Sequence, residues 1–150
     1  MAPDEVLSAF IVHSNEDYPL VQKIYDRCRF PWIRCCIAEQ EKRPGELLTG
    51  KIEELLVKCQ VIIAVWTHNL RDSIMANQEI GYAKALGKKI IPFAVRGMKP
   101  EGFLEGLEYV EYDPYDPEKG IENLIVTLTK LAQNFGYIKL QAEPTSPRAA

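Results

Sequence analysis

The sequence predicts an α/β domain in three layers, with a five-stranded parallel sheet covered by helices on both faces. Three observations predict it. Apolar runs of strand length alternate with amphipathic stretches of helix length from residue 7 to residue 134. The middle run, Val61 to Trp66, is apolar at every position, as a strand covered on both faces must be. The separations between runs suit right-handed crossover units and are too long for hairpins.

Taken in order, Leu7 to His13 reads as the first strand and Asp17 to Arg29 as an amphipathic helix buried through Leu20, Val21, Ile24 and Cys28. Phe30-Pro31 breaks that helix, and Ile33 to Ala38 is the second strand. A polar loop, Glu39 to Glu46, carries Pro44-Gly45 and leads into a helix from Leu47 to Lys58 with Ile52, Leu55, Leu56 and Cys59 on one stripe. Val61 to Trp66 follows as the central strand. A helix from Asp72 to Leu86 stops at Gly87, a residue suited to the left-handed turn that ends helices. Lys89 to Val95 is the fourth strand, although Pro92 lacks a donor for the ladder. Tyr109 to Tyr112 is a short fifth strand, and Pro117 to Asn134 is the closing helix. Residues 1–140 thus form one domain, and the tail from Gln141, rich in prolines and small residues, is expected to be disordered.

Five strands joined this way favour the flavodoxin-like order 2-1-3-4-5, whose switch point lies between the first and third strands. The loops meeting there are His13 to Asp17, Gln40 to Glu46 and Trp66 to Asp72. Ligands bind at such points, so the order locates a site before any chemistry is known.

Composition excludes several classes. The 150 residues are 47% apolar and 26% charged, as in ordinary globular domains, and the net charge of -3 comes without a basic stripe for nucleic acid. The longest apolar run is too short to span a bilayer, and the start has neither the basic nor the apolar region of a signal peptide. Four cysteines form no C-x-x-C pair; Cys35 and Cys36 are adjacent in a strand and face opposite ways, so they read as reduced, buried thiols and not as metal ligands. A cytoplasmic protein is expected from these features. No G-x-G-x-x-G, G-x-x-x-x-G-K-[ST] or H-E-x-x-H motif is present. Rossmann cofactor binding, a phosphate-binding NTPase loop and a helical zinc site are therefore unsupported.

On the helix from Asp72, the buried face is defined by Ala76, Ile80 and Ala83, with Asn77, Gln78, Lys84 and Lys88 on the solvated side. Glu79 falls roughly 60° from the centre of the buried stripe. A carboxylate there either complements the helix dipole, pairs with a lysine, or faces the crevice. The loop Glu41-Lys42-Arg43-Pro44-Gly45-Glu46 is either a solvated turn or a lid whose Arg43 reaches ligand phosphates. His13 and Ser14 end the first strand as hydrogen-bonding groups at the switch point. Trp66 ends the central strand, placed for the core or for stacking on a base.

Three of these segments together resemble a Toll/interleukin receptor (TIR) domain of the kind found in bacteria and archaea. Ala9-Phe10-Ile11-Val12-His13-Ser14, followed by Asp17, is similar to the family's first box. The stretch from Ala38 to Glu46 is similar to the loop after its second strand, and the stretch from Asp72 to Lys88 to the helix bearing its catalytic glutamate. Ile90-Ile91-Pro92 is in keeping with it. The resemblance covers about residues 7 to 135. Many members split the nicotinamide–ribose bond of NAD+, so it implies an NAD+ glycohydrolase or cyclase in immune defence, with Glu79 catalytic and NAD+ as substrate with no other cofactor. It implies His13, Ser14, Arg43, Trp66, Ser73 and Met75 around the substrate, and Arg43, Pro44 and Gly45 in a loop that assembles like domains. Two departures stand out: Val12 where the family usually has serine, and Met75 where it usually has tryptophan four residues before the glutamate. They leave open a slow enzyme, a different product, or a non-catalytic module that assembles with other TIR domains. A deoxyribosyltransferase-like enzyme, with the same sheet order and a glutamate attacking the sugar, is a further alternative that lacks a matching first-strand signature.

Overall fold

The computed structural model describes residues 6–40 and 42–138; Glu41 and the tail from Gln141 lie outside the described residues. Five parallel strands, β1 (Leu7–Val12), β2 (Ile33–Cys36), β3 (Val61–Trp66), β4 (Lys89–Val95) and β5 (Val110–Tyr112), pair in the order β2-β1-β3-β4-β5. This is the expected flavodoxin-like sheet. Five helices complete the layers: α1 (Tyr18–Arg27), α2 (Leu48–Lys58), α3 (His68–Arg71), α4 (Ile74–Ala85) and α5 (Glu118–Asn134).

Alternation along the strands divides the core in two. Leu7, Ala9 and Ile11 of β1 and Val61, Ile63 and Val65 of β3 pack against α1 and α5, through Val21, Ile24, Ile121, Leu124 and Leu128. Phe10, Val12, Ile62, Ala64 and Trp66 point the other way, onto Ile52, Leu55 and Leu56 of α2, Leu70 of α3, and Ala76, Ile80 and Ala83 of α4. Every residue of β3 is buried, as its unbroken apolar run requires. Val12, the residue in the serine position of the family box, is part of this second core layer.

Pro92 sits in register with Ala64 of β3, while pairing with β5 begins only at Phe93. The proline therefore takes no part in the β5 ladder, which is why an inner strand tolerates it. The cysteines follow the strand alternation: Cys35 shares a hydrogen bond with Cys28 on the α1 face, and Cys36 with Cys59 on the α2 face.

The helix expected from Asp72 to Leu86 is α4, Ile74–Ala85, and the stretch before it, expected as a loop from Trp66 to Asp72, holds the short turn α3. Thr67 accepts a hydrogen bond from the Leu70 N–H and starts the separate turn α3, and Ser73 does the same for Ala76 and starts α4. Asn77 is also not a solvated residue. Its side-chain amide donates to the carbonyls of Leu70, Arg71 and Ser73 and locks the corner between the two helices. Exposed backbone carbonyls at the end of α3 are what the amide satisfies, a need no helical wheel displays.

Candidate active site at the switch point

The loops after β1, β2 and β3 meet over the carboxyl edge of the sheet and enclose an open crevice of about 880 Å³. Asp17 fastens two of them together, accepting hydrogen bonds from Thr67 Oγ1 at 2.5 Å and from Asn69 Nδ2 at 3.1 Å. Lys51 of α2 donates to the Ala38 carbonyl at 2.8 Å and holds the loop after β2 against the helix. The walls are thus set by polar bonds between loops, and the floor by the packed sheet.

Glu79 lines this crevice from α4. Its carboxylate has no hydrogen bond or salt bridge among the described residues, which is unusual for a half-buried acid. Burial pushes its pKa up to about 7, partly opposed by the nearby His13 and reinforced by Glu39. Of the three readings open in the sequence, the lysine partner is removed and the crevice-facing one is the geometry observed.

His13 and Ser14, following β1, line the same crevice. The imidazole is almost wholly enclosed, with Nδ1 at 2.9 Å from the Ser14 carbonyl and Nε2 at 3.2 Å from the Glu39 carboxylate. Ser14 Oγ donates to Glu16 and caps the 3-10 turn Asn15–Asp17 that leads into α1; that bond holds the Glu16 carboxyl below its usual range. Ser73 lines the crevice with its oxygen already accepting from Ala76, leaving the hydroxyl proton to donate. Arg43, Pro44 and Gly45 close the outer side. Gly45 adopts φ +89°, a left-handed turn that suits glycine. Arg43 is ion-paired to Glu54 of α2, with Glu46 at 3.8 Å, so the loop is tied back to the helix.

Trp66 does not belong here. It is 1% exposed within the α2/α4 core layer, and its indole N–H donates to the Lys99 carbonyl at 3.0 Å. Of the residues after β3, Asn69 is the first to line the crevice. Met75, by contrast, is 52% exposed and lines the crevice, as does the exposed Leu48. If Met75 occupies a ligand-stacking position and NAD+ is the substrate, as the sequence resemblance implies, Met75→Trp is expected to lower the Michaelis constant several-fold, because a flat ring replaces a flexible thioether. Steady-state kinetics beside a thermal melt checks it. An unchanged constant at unchanged stability shows that Met75 only fills the rim.

Fold and site define the class: a flavodoxin-like α/β domain with a partnerless carboxylate in its switch-point crevice. The family model for the TIR domain matches residues 9–125, and the chain belongs to the TIR domain family. Among solved structures, the TIR domain of the Toll-related receptor TRR-2 from Hydra magnipapillata is similar at TM-score 0.63 and 18% identity, over 81% of this chain and 97% of that one. The CMP N-glycosidase of Clostridium botulinum is similar at TM-score 0.54 and 16% identity, over 78% of this chain and 97% of that one. No curated protein sequence matches the chain. Among the described residues, no helix is long and apolar enough to cross a membrane.

The sequence reading missed Glu39, which lies in the 3-10 turn Ala38–Gln40 and contacts His13 at the crevice. The two are 26 residues apart, and only the β1–β2 pairing brings them together.

Proposed function

We propose that this TIR domain cleaves the nicotinamide–ribose bond of NAD+, with Glu79 as the catalytic residue. One observation carries the reading: a half-buried carboxylate faces an open crevice with no partner of its own. The bond suits such a group. Nicotinamide departs with the bonding electron pair and becomes neutral, so the leaving group needs no proton. Positive charge develops on the ribose, and a carboxylate held in a partly dry wall stabilises it. Water, or a hydroxyl of the same molecule, then forms the new bond to the ribose carbon and gives up a proton. The first route yields ADP-ribose and the second a cyclic product. The fold likeness to a CMP N-glycosidase is in keeping with N-glycosidic chemistry on this framework.

Because Glu79 acts ionised, turnover is expected to rise with pH through about 7, the value to which burial brings it. Nicotinamide release measured across that range tests this. A rate already at its plateau well below neutrality removes Glu79 from the role.

Self-association is part of the same proposal. The crevice is open, and among the described residues the only phenyl, indole or phenol ring on its walls is that of Phe10, which is buried in the core. A neighbouring copy packed against Arg43, Pro44 and Gly45 completes the grip on a dinucleotide. Specific activity is then expected to climb with protein concentration and to fall in high salt, which screens the charges of Lys42, Arg43 and Glu46. Replacing Arg43 or Gly45 weakens activity more at low concentration than at high. Flat specific activity in a protein that sedimentation shows to be monomeric throughout rules assembly out.

The bare rim also favours a second reading, a non-catalytic module that assembles with like domains in immune signalling. Incubation of the pure protein with NAD+ and separation of the products distinguishes the two: an intact substrate at every protein concentration selects the module.

A further inference from the structure

The corner between β3 and α4 is held from behind by hydrogen bonds that fix which atoms it shows to the crevice. Thr67 Oγ1 accepts from the Leu70 N–H, so its own proton goes to Asp17, whose Oδ2 lies 2.5 Å away. The other oxygen of Asp17 lies 3.1 Å from the side-chain amide of Asn69. A carboxylate only accepts, so the Asn69 atom in contact is Nδ2, and Oδ1 is the end of the amide turned away from Asp17. Asn69 is exposed and lines the crevice, and no donor among the described residues reaches its Oδ1.

Ser73 lines the same crevice four residues on. The Asp72 N–H bonds the His68 carbonyl at 3.1 Å and the Ser73 N–H the Leu70 carbonyl at 3.0 Å. The backbone therefore keeps its helical course, and Asn69 and Ser73 stand about one turn apart. Asn77, donating to three carbonyls of this corner, holds it rigid. The Ser73 oxygen accepts from Ala76, which leaves its proton to donate. One acceptor and one donor thus face the crevice, and Glu79 lies six residues beyond Ser73, about 9 Å along the helix axis. A primary carboxamide offers the complementary pair, its N–H for Asn69 and its carbonyl for Ser73. A carboxylate in its place has no N–H, and it meets the Asn69 oxygen with Asp17 behind it.

We propose that Asn69 and Ser73 form a subsite for the carboxamide of the nicotinamide ring, with Asp17 as the positioning residue that sets the direction of the Asn69 amide. Asp17 acts through Asn69 and has no need to touch the ligand. The assignment rests on NAD+ being the ligand of this crevice, but it is readable in binding alone, without turnover.

The test compares the binding of NAD+ with that of nicotinic acid adenine dinucleotide, which carries a carboxylate in place of the carboxamide. NMR titration of the folded protein gives both affinities, and nicotinamide release is followed in parallel. The wild type is expected to bind NAD+ roughly tenfold more tightly, the combined effect of a pair of hydrogen bonds. Asn69→Ala is expected to lose most of that preference. Asp17→Asn is the sharper variant. Thr67 still needs an acceptor, so the new amide gives Thr67 its oxygen and Asn69 its N–H. Asn69 must then turn over and show its own N–H to the crevice, and the preference is expected to vanish or reverse. In the Asn69→Ala background Asp17→Asn changes the preference less, because only a charge is removed there. Equal affinities in the wild type, binding of neither dinucleotide, or an Asp17→Asn effect that is the same with and without Asn69 overturns the proposal. A preference for NAD+ without nicotinamide release discards the reaction and keeps the subsite; nicotinamide release with equal affinities does the opposite.

Discussion

Glu79→Gln is expected to lose NAD+ cleavage by roughly 10²-fold or more while folding as well as the wild type, or better. The amide keeps the size and the reach of the side chain but withdraws the charge aimed at the developing ribose cation. The expected gain in stability follows from the sign of the shift. In the unfolded chain the carboxyl titrates near 4.5, and in the fold near 7. Between those values the native state holds the extra proton, so the contribution of this group to stability falls as pH rises through the window. Above it, an ionised Glu79 costs the fold about 3 kcal/mol. Glu79→Gln removes that cost. Its melting temperature is expected to exceed that of the wild type at pH 8 and to approach it near pH 4. Nicotinamide release together with thermal melts at both pH values checks the pair of effects. A folded variant that retains full activity ends the catalytic role, whatever its stability.

Trp66→Ala carries the largest expected effect on the fold. The side chain is buried in the layer between the sheet and helices α2 and α4, and its removal leaves a large cavity. A loss of about 3–5 kcal/mol is expected, seen as a lower midpoint in urea denaturation. Trp66→Phe keeps much of the packing but leaves the Lys99 carbonyl without its donor, at about 1 kcal/mol. A platform for the substrate behaves otherwise: Trp66→Ala then folds normally and raises the Michaelis constant. That outcome places the indole in the crevice and contradicts the packing.

The sheet and its order were legible because each strand announces itself by an apolar run, and crossover geometry leaves few ways to join five of them. The limits of β3 and β4 were readable to the residue, for Val61–Trp66 and Lys89–Val95 are flanked by polar or turn residues on both sides. Glu79 was legible as well, since a helical wheel shows a carboxylate at the shoulder of an apolar stripe. What the sequence hid depends on contacts between distant loops. Nothing in the residues around Trp66 distinguishes a buried indole that bonds a carbonyl 33 residues away from one that faces a ligand. The short turn α3 was hidden for a related reason. It falls inside the stretch read as the loop from Trp66 to Asp72, and Asn77, read as solvated, is what closes its corner with α4. Glu39 was hidden most completely, in a loop whose mixed charges suggest solvent.

The account stands most directly on whether the wild-type domain breaks the bond at all. Pure protein at high concentration, in a crowded low-salt solution near pH 8, is incubated with NAD+ and the products are separated over time. Nicotinamide is expected to accumulate in step with the loss of NAD+, together with ADP-ribose or a cyclic form, and the rate is expected to grow faster than the protein concentration. NAD+ that stays intact while the domain is folded and assembled contradicts the account.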